Sequence, residues 1–503
     1  MQAVADRTLQ TRNAPAAGAL ALMLLLLCPG GVRAQGGDFT DQRVLPAGKR
    51  GERVRQTLEA VSSGEDALRR ALVAEAFAPS FRDAFPIGGH LDVLGGVGDR
   101  SRGLDFVAVR TYAEPGPAER VTVIARSRLT ESYTGVVFEF DAEDRIAGLR
   151  FVGARPPKDA AANSPLTVEA AARELEAFLD RLAKAEVFSG SVLLAKDGKV
   201  VFQGARGLAD RNHSVPNRVD TKFNLGSMNK MFTAVVTARL VERGTLSFDD
   251  PVSRWLAGEG WTKADLSKVT VGQLLTHTSG LGSYFNDTWA RASRQLYRKV
   301  SDWKPLVAEE TLAFEPGTRW AYSNTGMLIA GAVLEKAAGR DYFDLVRQEL
   351  YGPTGMKDTD CYDIDLVVPN LAIGYSKERV PGPQWRANTF EHVIRGGPAG
   401  GGYATAPDLL AFAEALRLGR LLKPETLERL WSPKPASPRY GYGFGLEDGP
   451  GGRIAGHSGG FPGISSNLDI FRDKGFVAVV LSNQDGGSEP LSQKMRELVA
   501  RIR

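Results

Sequence analysis

A serine and a lysine three residues apart begin a predicted helix near the middle of the chain. Residues 224–230 read NLGSMNK and precede the apolar run Met231–Val236, so Ser227 and Lys230 share one face of the helix. A serine hydroxyl is a poor nucleophile until a neighbouring base removes its proton, and a helix N-terminus favours developing negative charge. The pair could therefore perform acyl transfer, although for this tetrapeptide alone a capped helix with a solvated lysine is the better interpretation.

A tyrosine and an asparagine two residues apart come before a second apolar helix. Residues 319–326 read RWAYSNTG and lead into Met327–Leu334. Residues two apart in an extended loop point the same way, so Tyr322 and Asn324 can both face a cleft. We expect the positive charge of Lys230 to lower the pKa of the phenol, so that Tyr322 can act as a base. Asn324 can hold a substrate carbonyl or amide. Taken singly, the pair is also typical of a surface turn.

A glycine-rich segment, residues 456–463, reads GHSGGFPG. The small residues after His457 would let a substrate lie against the strand backbone and receive an amide hydrogen bond. The following residues 467–471 have the pattern of an edge strand, and 476–481 have that of a core strand. The alternative interpretation is a glycine-rich bend with a structural histidine.

Three motifs in chain order resemble the active-site elements of class C β-lactamases and their relatives: Ser227-x-x-Lys230, Tyr322-x-Asn324 and His457-x-Gly459. The relatives include family VIII carboxylesterases, D-stereospecific aminopeptidases and D-alanyl-D-alanine carboxypeptidases of the S12 peptidase type. Further phrases similar to this family are LLTHTSGL at 274–281, FEPG at 314–317 and GGYATAPDL at 401–409. The match runs from about residue 170 to the end of the chain.

The resemblance implies a fold and a set of roles. The fold would be the penicillin-recognising, β-lactamase-like α/β (α+β) fold, with an antiparallel central sheet flanked by helices and an all-helical subdomain. Ser227 would attack a carbonyl, and Lys230 with Tyr322 would take and return its proton. The backbone amides of Ser227 and Gly460 would form the oxyanion hole, and water would then release the acyl group. Substrate contacts would come from Asn324, His457 and Gly459.

The third motif departs from many β-lactamases and carboxypeptidases, which carry Lys-Thr-Gly where this chain has His457-Ser458-Gly459. A lysine holds a permanent charge for a substrate carboxylate, whereas histidine is mostly neutral near pH 7. We therefore expect an esterase or a D-amino acid amidase or peptidase rather than an efficient β-lactamase. The alternatives are a D-alanyl-D-alanine carboxypeptidase or β-lactamase acting on cell-wall peptides or β-lactams and, outside enzymes, a non-catalytic protein that recognises cell walls. Loss of the serine, lysine or tyrosine would be the sequence hallmark of such a non-catalytic protein, and all three residues are present.

The predicted domains place these motifs in the second of two folded domains. Residues 1–34 have a basic start, an apolar run and a small residue before a cut expected after Ala34, which predicts a signal peptide and a periplasmic or secreted protein. Residues 35–155 should form a small α+β accessory domain, loosely cystatin-like or NTF2-like, with a helix at 52–78 and strands at 106–112, 120–127, 135–141 and 145–152. A linker at 156–165 would precede the hydrolase domain, 166–503. There Thr167 is a credible N-cap and the Asp197-Gly198 turn predicts a hairpin.

Composition excludes some functions. The net charge of +4 is scattered along the chain, which argues against nucleic-acid binding. Cys361 remains alone after signal removal and follows an acidic stretch, so we interpret it as structural, and we interpret His277 as structural too. His90, His213 and His392 show no metal-ligand spacing, so we expect no metal or cofactor. The expected partner is a small ester, an amide or a short peptide. No further transmembrane segment is predicted, and the oligomeric state stays open.

Overall fold

The computed structural model describes residues 38–113, 119–160, 164–377 and 384–503. The chain divides into two compact units, Met1–Asn163 and Ser164–Arg503. The expected signal peptide lies outside the described residues. Within the described part of the chain, none of the helices combines the length and apolar character needed to span a bilayer.

The first unit combines helices with an antiparallel sheet. Its described strands pair in chain order, β1-β2-β3-β4-β5. They are β1 (Phe39–Gln42), β2 (Leu104–Tyr112), β3 (Arg120–Ser127), β4 (Tyr133–Phe140) and β5 (Ile146–Gly153). The helices are α1 (Gly48–Ser62), α2 (Asp66–Ala76), α3 (Pro79–Arg82) and α4 (Ile87–Ser101). Apolar side chains of both layers, such as Val54 and Phe138, form one core, which is the α+β arrangement predicted.

The helices of the first unit differ from the prediction. The stretch predicted as one helix at 52–78 holds α1 and α2, which are separated at Gly64, where φ is +77°. The sequence analysis also missed α4, which contains five glycines, because glycine is a poor helix former. A Cβ on Gly98 would come within 2.3 Å of the carbonyl oxygen of Val61. This glycine therefore lets α4 pack closely against α1.

The central sheet of the second unit has the described strand order β14-β15-β16-β17-β6-β7, and every pair is antiparallel. The strands are β6 (Gly190–Lys196), β7 (Lys199–Arg206), β14 (Gly445–Gly449), β15 (Gly452–Phe461), β16 (Ile464–Phe471) and β17 (Phe476–Ser482). The predicted hairpin is confirmed, with positive φ at Asp197 and Gly198. The prediction of an edge strand at 467–471 was wrong, because β16 lies between β15 and β17 and is buried along its whole length.

Helices cover this sheet and form a separate helical part. They are α5 (Val168–Lys184), α6 (Asn229–Glu242), α7 (Ser253–Leu256), α8 (Val271–Leu275), α9 (Asp287–Arg291), α10 (Lys304–Val307), α11 (Asn324–Ala338), α12 (Tyr342–Val346), α13 (Gly352–Thr354), α14 (Ala406–Arg417), α15 (Pro424–Leu430) and α16 (Ser488–Arg501). Thr167 caps α5 as predicted, because its Oγ1 accepts a hydrogen bond from the Ala170 amide. α6 and α11 are buried on nearly all sides, which explains their continuous apolar patterns.

Short strand pairs connect the loops of the second unit. They are β8 (Leu208–Asp210) with β9 (Val215–Pro216), β10 (Phe223–Asn224) with β13 (Tyr403–Ala404), and β11 (Tyr375–Ser376) with β12 (Arg386–Ala387). The β10–β13 pair matters most for function, because β10 leads directly into the turn that carries Ser227.

Candidate active site

Ser227 lies in a short 3-10 turn, Gly226–Met228, between β10 and α6. Two hydrogen bonds fix the backbone that enters the turn. The Gly226 amide donates to the side chain of Asn224 at 2.9 Å, and the Leu225 amide donates to the carbonyl of Gly402 at 2.7 Å. The side chain of Ser227 is therefore held at the start of α6, as predicted.

Glycines let three stretches of backbone meet around the serine. Gly226 has a φ of +51°, and a Cβ there would lie 2.9 Å from the backbone nitrogen of Gly460. A Cβ on Gly459 would lie 1.9 Å from the carbonyl oxygen of Leu225, and one on Gly400 would lie 2.8 Å from that of Gly226. The end of β15 thus lies directly against the serine turn, which brings together the two residues predicted to form the oxyanion hole. Their role as donors stays a prediction.

The amine of Lys230 is buried among three oxygen atoms. Its Nζ lies 3.0 Å from Ser227 Oγ, 2.9 Å from Asn324 Oδ1 and 2.5 Å from the carbonyl oxygen of Ala399. Burial lowers the pKa of Lys230 well below its ordinary value. A neutral amine has two hydrogens, and Asn324 Oδ1 and the Ala399 carbonyl can only accept them. The lone pair of the neutral amine can then accept a hydrogen bond from the Ser227 hydroxyl, so Lys230 is placed to take the serine proton.

Tyr322 lies on the same side of the site as Lys230. Its ring centre is 4.8 Å from Lys230 Nζ, and the residue is 39% exposed. The expectation that the lysine charge lowers the pKa of this phenol is not met. Burial of the hydroxyl end raises the pKa of Tyr322, and a hydrogen bond with Ser227 offsets only part of this effect. Tyr322 therefore keeps its proton at neutral pH and can donate it.

Asn324 is the first residue of α11 and links two parts of the site. Its Oδ1 accepts from Lys230 at 2.9 Å, and its Nδ2 donates to Ser283 Oγ at 3.1 Å. Ser323 caps the helix by accepting from the Gly326 amide, which fixes the backbone on both sides of Asn324. Asn324 lies beside the cleft, as predicted, but its carbonyl oxygen also orients the amine of Lys230.

His457 lies on β15 and has a partner that the sequence analysis missed. Its Nε2 is 2.8 Å from the hydroxyl of Tyr440, and its Nδ1 lies next to the carbonyl of Ser458. The carbonyl can only accept, so we assign the proton to Nδ1, and the Tyr440 hydroxyl then donates to Nε2. Burial is the main cause that lowers the pKa of His457 to about 3. The neutral histidine expected near pH 7 is thus supported, and His457 brings no fixed positive charge.

His277 and Cys361 have structural surroundings. His277 is fully buried, and its Nδ1 accepts from the Ser323 amide at 3.1 Å, which helps to hold the loop before α11. Cys361 is buried, and burial raises the pKa of its thiol to about 12. Neither group is suited to act as a nucleophile or a cation at neutral pH. Within the described ranges, no three His, Cys, Asp or Glu side chains are grouped as metal ligands would be.

Aromatic rings form a wall of the cleft beside Ser227, which has about 540 Å³ of empty space including the part open to solvent. Trp303 stacks on Trp289 with ring centres 5.5 Å apart, and Phe285 meets Trp289 edge to face at 5.1 Å. Phe285 also stacks on Phe461 of β15 at 5.8 Å. This wall could not be predicted from the sequence, because its residues follow no helical or strand period.

The fold and the site define a class of protein: serine hydrolases with a penicillin-recognising fold, whose nucleophile and lysine stand at the start of one helix. Residues 173–501 match the family model described as Beta-lactamase. The chain belongs to the Beta-lactamase family and is a serine hydrolase.

Three similar proteins show the range of this family. "Penicillin-binding protein 4*" of Bacillus subtilis is 30% identical over 63% of this chain and 73% of its own length. "Esterase EstB" of Burkholderia gladioli is 32% identical over 65% of this chain and 95% of its own length. The crystal structure of a D-stereospecific amidohydrolase from Streptomyces sp. aligns with a TM-score of 0.54 and 29% identity, over 65% of this chain and 97% of that one.

Proposed function

We propose that this chain is an exported enzyme that hydrolyses esters or amides without a carboxylate beside the scissile bond, through an acyl-enzyme on Ser227. The observation that carries the proposal is the hydrogen-bond arrangement of Lys230. Nζ lies within hydrogen-bond distance of Ser227 Oγ, Asn324 Oδ1 and the Ala399 carbonyl oxygen. A neutral amine would donate its two hydrogens to the last two oxygens, which can only accept, and would take the serine proton on its lone pair.

In the proposed acylation step, Ser227 Oγ bonds to the substrate carbonyl carbon while its proton passes to Lys230 Nζ. The carbonyl oxygen becomes an oxyanion that the amides of Ser227 and Gly460 stabilise. The bond to the leaving group then breaks, and the leaving group takes a proton from Tyr322, which recovers one from Lys230. In deacylation a water molecule loses its proton to the same groups and attacks the acyl carbon, and Ser227 is regenerated.

The neutral state of His457 supports the substrate class. A permanent cation at this position would attract a substrate carboxylate, whereas a neutral imidazole already hydrogen-bonded to Tyr440 and Ser458 offers none. The similarity to an esterase and to a D-stereospecific amidohydrolase agrees with ester or amide cleavage.

Labelling of the nucleophile tests the proposal. We expect a fluorophosphonate probe to add to Ser227 in the purified full chain, as read by peptide mass spectrometry, and Ser227→Ala to lose both labelling and ester turnover. Ser267→Ala is a matched control, because Ser267 is exposed and its hydroxyl only contacts Asp265 in a surface turn. Undiminished turnover by Ser227→Ala would rule out the proposed mechanism.

Export is the second part of the proposal and rests on the composition of residues 1–34. After expression in a bacterium, the intact mass of the chain recovered outside the cytoplasm should correspond to cleavage after Ala34. An unprocessed chain confined to the cytoplasm would contradict it.

A further inference from the structure

The aromatic wall leads to an inference about the acyl group, which rests on the proposed function of the site. We propose that the acyl pocket selects uncharged acyl groups that carry an aromatic ring, such as 3-phenylpropionyl, over acyl groups with a free α-ammonium, such as D-phenylalanyl. The structure thereby favours esterase-type substrates over amino acid amides.

The position of the pocket indicates that it receives the acyl part of the substrate. Its lining includes Ser227 and Gly460, whose amides are the proposed oxyanion donors, together with Asn324. Phe285 and Phe461 lie in the same lining. A carbonyl carbon bound at Ser227 would therefore have these two rings within the cavity that its acyl chain enters.

The rings offer faces of the kind that stack on another ring. Phe285 and Phe461 lie nearly parallel, at 28° and 5.8 Å, and Phe285 is 45% exposed, so part of its surface is free to contact a substrate. Trp289 and Trp303 are almost fully buried behind it and fix its position. Aromatic pairs of this geometry bind more tightly than their buried area alone accounts for.

The charges around the pocket are unsuited to an ammonium group. None of the described residues that line it is Asp, Glu, Lys or Arg. The guanidinium of Arg294 lies 4.0 Å from the ring centre of Trp289 and occupies a face that could otherwise attract a cation. Glu391 precedes the lining residue His392 but does not itself line the pocket. An α-ammonium would lose its hydration there without gaining an ionic partner.

The test compares two substrates that differ only in the ammonium group. With the purified full chain at pH 6, we expect kcat/KM for methyl 3-phenylpropionate to exceed that for D-phenylalanine methyl ester by about tenfold or more, since one unpaired polar group has that order of effect. Equal values, or a preference for the amino acid ester, would overturn the proposal. Glu391→Gln identifies the cause in that case, because it would reduce turnover of the amino acid ester if Glu391 binds the ammonium.

Ring contacts are tested by substitution. Phe285→Ala and Phe461→Ala should each lower the ratio of kcat/KM for 4-nitrophenyl 3-phenylpropionate to that for 4-nitrophenyl acetate, by about three- to tenfold. Phe390→Ala, at a phenylalanine that is 92% exposed and outside the lining, should leave the ratio unchanged. An unchanged ratio in both pocket variants would overturn the role of the rings, while absence of turnover with every ester and no labelling of Ser227 would instead contradict the proposed function.

Discussion

The Nζ atom of Lys230 lies 3.0 Å from the Oγ atom of Ser227, and the other two oxygens around this amine can only accept hydrogen bonds. With a neutral amine, this geometry would allow Lys230 to accept the serine proton, as the proposed mechanism requires. Burial in a site without a carboxylate partner among the described residues favours that neutral state.

Replacing this base should abolish most of the activity. We expect Lys230→Met and Lys230→Arg each to lower kcat/KM for a simple ester by about 10²- to 10⁴-fold, because methionine has no basic group and a guanidinium does not lose its proton. Lys336→Met, on the exposed side of α11, is the control and should keep full activity. Substantial activity in Lys230→Arg would show that charge rather than basicity is required.

The buried amine should also leave a signature in the pH dependence of stability. In the unfolded chain Lys230 has its ordinary pKa of 10.5, and in the folded chain the pKa is well below that value. Between these two values the unfolded state binds the extra proton, so the free energy of unfolding rises with pH. Lys230→Met lacks this contribution. The free energy of unfolding of the wild type, relative to that of Lys230→Met, should therefore rise by up to about 1.4 kcal/mol per pH unit.

Urea unfolding between pH 7 and pH 9 measures this difference. All seven tryptophans lie between residues 255 and 431, so their fluorescence reports on the second unit. Parallel pH profiles for the wild type and Lys230→Met would mean that Lys230 is already protonated in the folded protein.

The protonated phenol of Tyr322 predicts a dependence on the leaving group. Tyr322→Phe should lower kcat for methyl esters and amides by about 10²-fold, because their leaving groups need a proton. The loss should be far smaller for 4-nitrophenyl esters, since 4-nitrophenolate leaves without one. If both kinds of substrate lost activity equally, Tyr322 would act on the serine instead.

Two glycine-to-alanine substitutions test the close packing around the predicted oxyanion site. Gly226→Ala would place a Cβ 2.9 Å from the backbone nitrogen of Gly460, and it should lower kcat by about 10²-fold, the effect of losing one oxyanion donor. Gly339→Ala has nearly the same backbone strain, with φ of +60°, but no atom within 4 Å of the new Cβ. The control should lose about 1 kcal/mol of stability and keep its kcat.

The neutral imidazole of His457 predicts the effect of adding a charge. His457→Lys should raise kcat/KM for a chromogenic cephalosporin, which carries a carboxylate, relative to that for a neutral ester. His213→Lys, at a side chain that is 78% exposed on the loop between β8 and β9, should not change this preference. An unchanged or reversed preference in His457→Lys would contradict the proposed role of His457 in substrate choice.

The sequence predicted the parts of the site that are encoded locally. The spacing of Ser227 and Lys230 placed them at one helix start, and the Asp197-Gly198 hairpin follows from its own turn residues. Interpreting the pair as a catalytic site also needed the resemblance carried by the tyrosine and histidine motifs further along the chain. Tyr440 could not be predicted, because only the three-dimensional fold brings its hydroxyl to His457. The same holds for α4, whose glycines oppose helix formation locally, because the close approach of Gly98 to Val61 of α1 exists only in the folded unit.

The contact between the serine turn and the end of β15 joins segments that are far apart in the sequence. The Ser466 hydroxyl of the adjoining strand donates to the Leu225 carbonyl across 241 residues of sequence, and β6 pairs with β17. Such non-local pairings form late, since the intervening chain must be ordered first. In a chain synthesised from its N-terminus, Ser227 would be present long before Gly460, so we expect no hydrolase activity until β15, β16 and β17 are in place.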